Sequence, residues 1–145
     1  MSEARTIDVL LVEDDPDDAE LTIRALRKYK LADTLHHAED GFEALEFLHS
    51  TDVPRPPPRV ILLDLKLPKI NGLEVLRRLR ADTRTQHIPV VVLTSSREDR
   101  DLKEAYMLGA NSYIVKPVNS AKFAEVVGKL GMYWMWMNEP PEDLR

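Results

Sequence analysis

The chain has 145 residues, 43% of them hydrophobic and 31% charged, which suits one globular domain and excludes both a disordered chain and two full-sized domains. A net charge of −5 leaves no basic footprint for nucleic acid, and the lack of Cys removes disulfides, thiolate metal sites and Cys nucleophiles. The longest apolar stretch, residues 132–137, is far too short to span a bilayer, and no signal core follows the N-terminus, so a soluble cytoplasmic protein is expected.

Short apolar runs alternate with amphipathic stretches along the whole chain. Residues 7–12 form the first run, ending at Glu13, Asp14 and Asp15. Asp15 followed by Pro16 reads as an N-cap and the first helical position, where the missing N–H of proline costs nothing. The helix that follows carries Ala19, Ile23 and Leu26 at steps of four and three. Residues 34–38 make a shorter and more polar run, expected at or near a sheet edge. Residues 54–59 hold four prolines and cannot be helix or inner strand, so they read as a stiff connector. A proline-rich ligand for a recognition module is the less favoured alternative.

The third run, residues 60–63, ends at Asp64, and Asn71-Gly72 opens a helix with Leu73, Leu76 and Leu79 on one side. The fourth run spans residues 88–93 and gives way to Thr94, Ser95 and Ser96. Its helix carries Leu102, Ala105 and Tyr106 and stops near Gly109. The fifth run, residues 112–115, ends at Lys116-Pro117. Runs one, three and four are nearly continuous Val, Ile and Leu, the pattern of parallel strands buried on both faces. Strand alternating with helix predicts a doubly wound α/β sheet with right-handed crossovers.

In such a sheet, ligands bind outside the carboxyl ends of the strands. Glu13, Asp14, Asp64, Thr94 and Lys116 all occupy those ends. Crowded carboxylates repel, and a divalent cation relieves the conflict. An all-oxygen donor set favours Mg2+ or Mn2+, and His36 and His37, adjacent on a strand, point to opposite faces and cannot chelate zinc together. A carboxylate beside such an ion can attack phosphorus and become an aspartyl phosphate. On this reading Asp64 attacks, Asp14 and Glu13 hold the metal, Lys116 balances the new charge, and the Thr94 hydroxyl bonds a phosphoryl oxygen. Taken singly, each residue has a plainer role, and Asp15 is expected only to cap a helix.

The ordered set of residues 10–16, 62–68, Asn71-Gly72, 92–95, Gly109-Ala110 and 113–117 resembles the receiver domain of two-component response regulators. The likeness extends to about residue 130. It implies a flavodoxin-like (βα)5 fold with a central five-stranded parallel sheet, and a phosphoryl group received from a sensor histidine kinase in a Mg2+-dependent reaction. Phosphoacceptor Asp64, metal ligands Glu13, Asp14, Asp64 and the Lys66 carbonyl, phosphate-binding Thr94 and Lys116, and a Thr94/Tyr113 switch follow from it. The resemblance implies a signalling protein with only weak autophosphorylation and autodephosphorylation. Glu13 stands where the family commonly has Asp, which adds a methylene and leaves room for metal contact through water. Lys66 places a cation beside the acceptor. The Lys116–Pro117 bond is often cis in this family.

From Ala121 onward, Phe123, Val126, Val127, Leu130, Tyr133, Trp134 and Met137 form one stripe facing the sheet. Met132, Met135 and Trp136 fall elsewhere on the same helix, and this apolar excess suggests an association surface. The Tyr133-Trp134 pair, the tail at 138–141 and the proline-rich loop resemble stand-alone response regulators paired with phytochrome-type histidine kinases. A homodimer through Met132, Tyr133, Met135 and Trp136 is therefore expected; kinase docking or a self-packed tail are the alternatives. The expected layout is one receiver domain over residues 1–138, with a fifth helix at about 120–137, a C-terminal extension at 139–145, no output domain and no membrane or nucleic acid partner. A Mg2+-dependent small-molecule phosphatase using Asp64 is the competing function; it lacks a second carboxylate two residues after Asp64 and a cap insertion. A scaffold with a vestigial site is a third reading.

Overall fold

A computed structural model describes residues 7–50, 56–95, 99–116 and 121–134. Ten elements alternate: β1 (Val9–Val12), α1 (Pro16–Lys28), β2 (Leu35–Ala38), α2 (Gly41–His49), β3 (Val60–Leu63), α3 (Gly72–Ala81), β4 (Val90–Thr94), α4 (Asp99–Met107), β5 (Ser112–Val115) and α5 (Ala121–Met132). The five strands form one parallel sheet in the order β2-β1-β3-β4-β5. The expected flavodoxin-like (βα)5 architecture is thus observed, with the polar second strand at an edge. Among the described residues no helix is long and apolar enough to cross a membrane.

Alternate strand residues divide the core between the two faces, as a period of two requires. Leu10, Val12, Ile61, Leu63, Val90 and Val92 pack with Ala44, Leu45, Val75, Leu76, Leu79 and Ala105, so α2, α3 and α4 cover one face. Val9, Leu11, Val60, Leu62, Val91 and Leu93 pack with Ala19, Leu26, Phe123 and Val127, so α1 and α5 cover the other. Helix starts follow local chemistry. The Asp15 carboxylate accepts from the N–H groups of Asp17 and Asp18, Asp40 caps α2, and Asn71 caps α3.

Two helices depart from the expected apolar stripes. Of the apolar residues named for the fourth helix, Tyr106 is 48% exposed, and Ala105 beside it is buried. In α5, Phe123 and Val127 are buried as expected, but Tyr133 is 47% exposed while Met132 packs partly against the α1–α5 side of the core. The reason lies in Gly128 and Gly131, both buried. A Cβ on Gly128 would run into the Tyr29 ring and one on Gly131 would come within 2.6 Å of Leu31 Cδ1. The two glycines let α5 lie close against the end of α1, which draws Met132 in. Met135, Trp136 and Met137, and the Lys116–Pro117 bond, lie outside the described residues.

Candidate functional site

The strand order reverses between β1 and β3, and the rim above that point collects the polar residues. Val12 pairs with Leu63, so the next residues, Glu13 and Asp64, leave the sheet side by side. The ladder runs one rung further: Asp64 N–H donates to the Val12 carbonyl at 3.0 Å, Glu13 N–H to Ala38 at 3.0 Å, and Lys116 N–H to Thr94 at 2.9 Å. These backbone bonds fix where each functional side chain begins.

Lys116 is the centre of the cluster. Its Nζ donates to Glu13 Oε1 at 2.6 Å, to Asp18 Oδ2 at 2.9 Å and to Asp64 Oδ2 at 3.3 Å. Glu13 and Asp64 are buried, whereas Asp14 is exposed. One carboxylate oxygen each from Glu13, Asp14 and Asp64 lies within 4.8 Å of the other two. Burial pushes the Glu13 carboxyl up to about 7, a rise that Lys116 opposes and the charge of Asp64 reinforces. Burial by itself would lower the Lys116 ammonium, but hydrogen bonds to Glu13 and Asp18 and the charges of Asp64 and Glu13 outweigh it and raise its pKa.

Three converging carboxylates with no sulfur or ring nitrogen suit a hard divalent ion such as Mg2+. The raised Glu13 reflects its burial first and the neighbouring charge of Asp64 second. Glu13 Oε2 also accepts from the Asp15 N–H at 3.3 Å, and Asp64 Oδ1 from the Lys66 N–H at 3.2 Å. The observed contact of residue 66 is thus through its N–H, with its side chain exposed. Thr94 is fully buried at the end of β4, paired with Val115 next to Lys116. Tyr113 sits opposite Val92 on β5 and is partly buried against the core face covered by α2–α4.

The structure therefore brings Glu13, Asp14, Asp64, Thr94 and Lys116 to one rim and leaves Tyr113 on the flank of β5. His36 and His37 do diverge. His36 stacks on Phe47 with ring centroids 4.1 Å apart, and His37 Nε2–H donates to the Glu13 carbonyl at 2.8 Å. Two participants escaped the sequence reading: Asp18, and His37 as an anchor for the Glu13 backbone. Neither contact carries a local sequence signal, since the Asp18 partner is 98 positions away and the His37 bond depends on the pairing of β1 with β2.

Residues 9–128 match the family model of the response regulator receiver domain. "Probable methanogenesis regulatory protein FilR2" of Methanothrix harundinacea is 39% identical over 134 residues, 92% of this chain and 86% of that protein. Response regulator Rcp1 of Synechocystis sp. is 35% identical over 129 residues, 88% of each chain. Its Mn2+-bound crystal structure superposes with a TM-score of 0.81 at 33% identity, covering 94% of this chain and 99% of that one. The bacteriophytochrome response regulator AtBRR is 48% identical, with a TM-score of 0.72 over 95% of this chain and 100% of its own. With its sheet order, its acidic rim and this match over most of its length, the chain belongs to the response regulator receiver domain family.

Proposed function

We propose that this protein takes a phosphoryl group from the phosphohistidine of a sensor kinase onto Asp64. Receiver domains work with such kinases as a class, and the phosphatase alternative is not favoured. The observation that supports the reading best is the meeting of Asp64 with Glu13, Asp14 and Lys116 at the strand-order reversal. An Asp64 carboxylate oxygen attacks phosphorus, the P–N bond of the donor breaks, and its electron pair returns to the imidazole nitrogen, which takes up a proton. Lys116, which already reaches Asp64, bonds a phosphoryl oxygen once it gives up one of its present partners, and the Lys66 N–H holds the other Asp64 oxygen in place. Glu13, Asp14 and Asp64, with the Lys66 carbonyl, are the residues that would hold Mg2+; when bound, it neutralises charge on the transferring group.

The added charge, roughly −1.5 to −2 at neutral pH, provides the signal. Thr94 turns toward the phosphoryl oxygens, and Tyr113 follows inward, repacking the flank formed by α4, β5 and α5. Self-catalysed phosphorylation and dephosphorylation are weak by comparison with transfer from the kinase. The partner we favour is a phytochrome-type kinase, a reading supported by the likeness to AtBRR. The working unit is residues 1–138, with 139–145 as an extension. A homodimer through Tyr133, Met135 and Trp136, with Met132 at its inner margin, is consistent with the exposure of Tyr133.

Labelled phosphate offered from a kinase or from acetyl phosphate tests the central reading. Wild-type protein should take up label only with Mg2+, and Asp64→Asn should take up none; turnover of many small phosphate esters would favour the enzyme instead. Transfer from a phytochrome-type kinase in preference to unrelated kinases tests the pathway. Light scattering tests the dimer, where an unchanged monomeric mass before and after Trp136→Ala would reject it.

A further inference from the structure

A lysine ammonium has three hydrogens, and Lys116 has already placed them on three carboxylates. Its side chain is only 9% exposed, so little water is at hand to replace a lost partner. A phosphoryl group on Asp64 brings new acceptor oxygens, and Lys116 can bond one only by leaving a partner it now holds. The three partners are not equal. The contact with Asp64 is the longest, at 3.3 Å against 2.6 Å for Glu13 and 2.9 Å for Asp18. The Asp18 side chain is the most accessible, at 28% against 2% for Glu13 and 9% for Asp64. Water can take over from Lys116 at Asp18, whereas a released Glu13 would keep a buried charge with little solvent.

We propose that Asp18 is a positioning residue that draws the Lys116 ammonium toward α1 and away from Asp64, so that a phosphoryl group on Asp64 must compete with Asp18 for this ammonium. The placement of Asp18 is rigid. Its own N–H donates to the Asp15 cap at 3.3 Å, and Pro16 fixes the first turn of α1. Its carboxylate therefore reaches, from a helix, a lysine 98 positions away in sequence. Asp18 is not one of the three carboxylates that converge for a cation, so its role is toward the ammonium. The inference rests on the phosphoacceptor reading above and adds a resting-state restraint to it.

Beryllium trifluoride, which mimics a phosphoryl group on a carboxylate, is the probe, titrated by calorimetry at saturating Mg2+. Freeing one partly solvated charge-assisted hydrogen bond should tighten its binding by about fivefold in Asp18→Asn. Asp17→Asn removes the same charge one residue away without touching Lys116, and should change binding by less than about twofold. Asp18→Glu still reaches the ammonium and should return binding to near the wild-type value. Equal effects of Asp18→Asn and Asp17→Asn, or weaker binding in Asp18→Asn, would overturn the proposal. So would a loss of affinity for Mg2+ alone that is larger in Asp18→Asn than in Asp17→Asn, since Asp18 would then be a metal ligand. Wild-type protein that binds no beryllium trifluoride at all would instead remove the phosphoacceptor reading on which the proposal stands.

Discussion

Leu62 and Asp64 are two positions apart on one strand direction and almost equally hidden from water, at 2% and 7% exposure. Leu62 meets the apolar faces of α1 and α5 and is fully satisfied there. Asp64 meets two other acids and shares one ammonium with Glu13 and Asp18. The same contrast repeats at Val12 and Glu13. Burial stabilises the strand interiors, whereas at the rim burial makes charge costly. The interior holds the rim in an arrangement that its own electrostatics would not choose. Such a cluster of carboxylates suits a divalent cation, whose charge in turn offsets that of a phosphoryl group.

If the two regions are separable in this way, damage to one should spare the other. Ile61→Ala, at a site with no exposure, should lower unfolding stability by about 4 kcal/mol in urea titrations. The surviving folded protein should keep its Mg2+ affinity, and a parallel loss would break the distinction.

Glu13 sharpens it from the rim. Its folded pKa of about 7 lies above the ordinary value of 4.5, so the folded state holds the proton longer than the unfolded chain. Stability from this group is complete below about pH 4.5 and disappears as pH rises through 7. Without metal, wild-type protein should therefore lose on the order of 3 kcal/mol relative to Glu13→Gln between those limits. Burial of His87, which lowers its pKa, works in the opposite sense over part of this range. It is common to both proteins and cancels in the difference. A flat difference would mean that Glu13 is ionised throughout.

Gly72 lies where the regions touch. A Cβ there would collide with the Asp64 carbonyl oxygen and come within 2.5 Å of Leu65 Cα, both backbone atoms that yield only if the loop moves. Gly72→Ala should cost about 2 kcal/mol and also slow phosphorylation, the one substitution of this set to harm both properties. The smallest effect belongs to Asp15. Asp15→Ala removes the α1 cap and should lower unfolding stability by about 1 kcal/mol in the same urea titrations.

Sequence was most informative where one residue type had to serve one environment. Strands β1, β3 and β4 are shielded on both faces and could be read from unbroken Val, Ile and Leu. Glu13, Asp64 and Thr94 were legible because each ends such a strand, Lys116 because it closes the fifth apolar run, and parallel register carries all four to one edge. Asp18 was not, because its importance comes from a contact with a distant lysine and its helical position alone suggests a solvated face. His37 was read only as a failed chelator, since its bond to the Glu13 carbonyl depends on how β2 pairs with β1. The positions of Met132 and Tyr133 depended on how closely α1 and α5 approach, and that distance is set by Gly128 and Gly131, which carry no hydrophobic signal of their own.

The most direct measurement is to map the acyl phosphate by tandem mass spectrometry after incubation with a phosphodonor, with and without Mg2+. The account predicts a single hydroxylamine-labile phosphoryl group on Asp64, present only with the ion. A phosphoryl group on Asp14 or Asp18, or one on Asp64 that forms equally well in excess chelator, would contradict it.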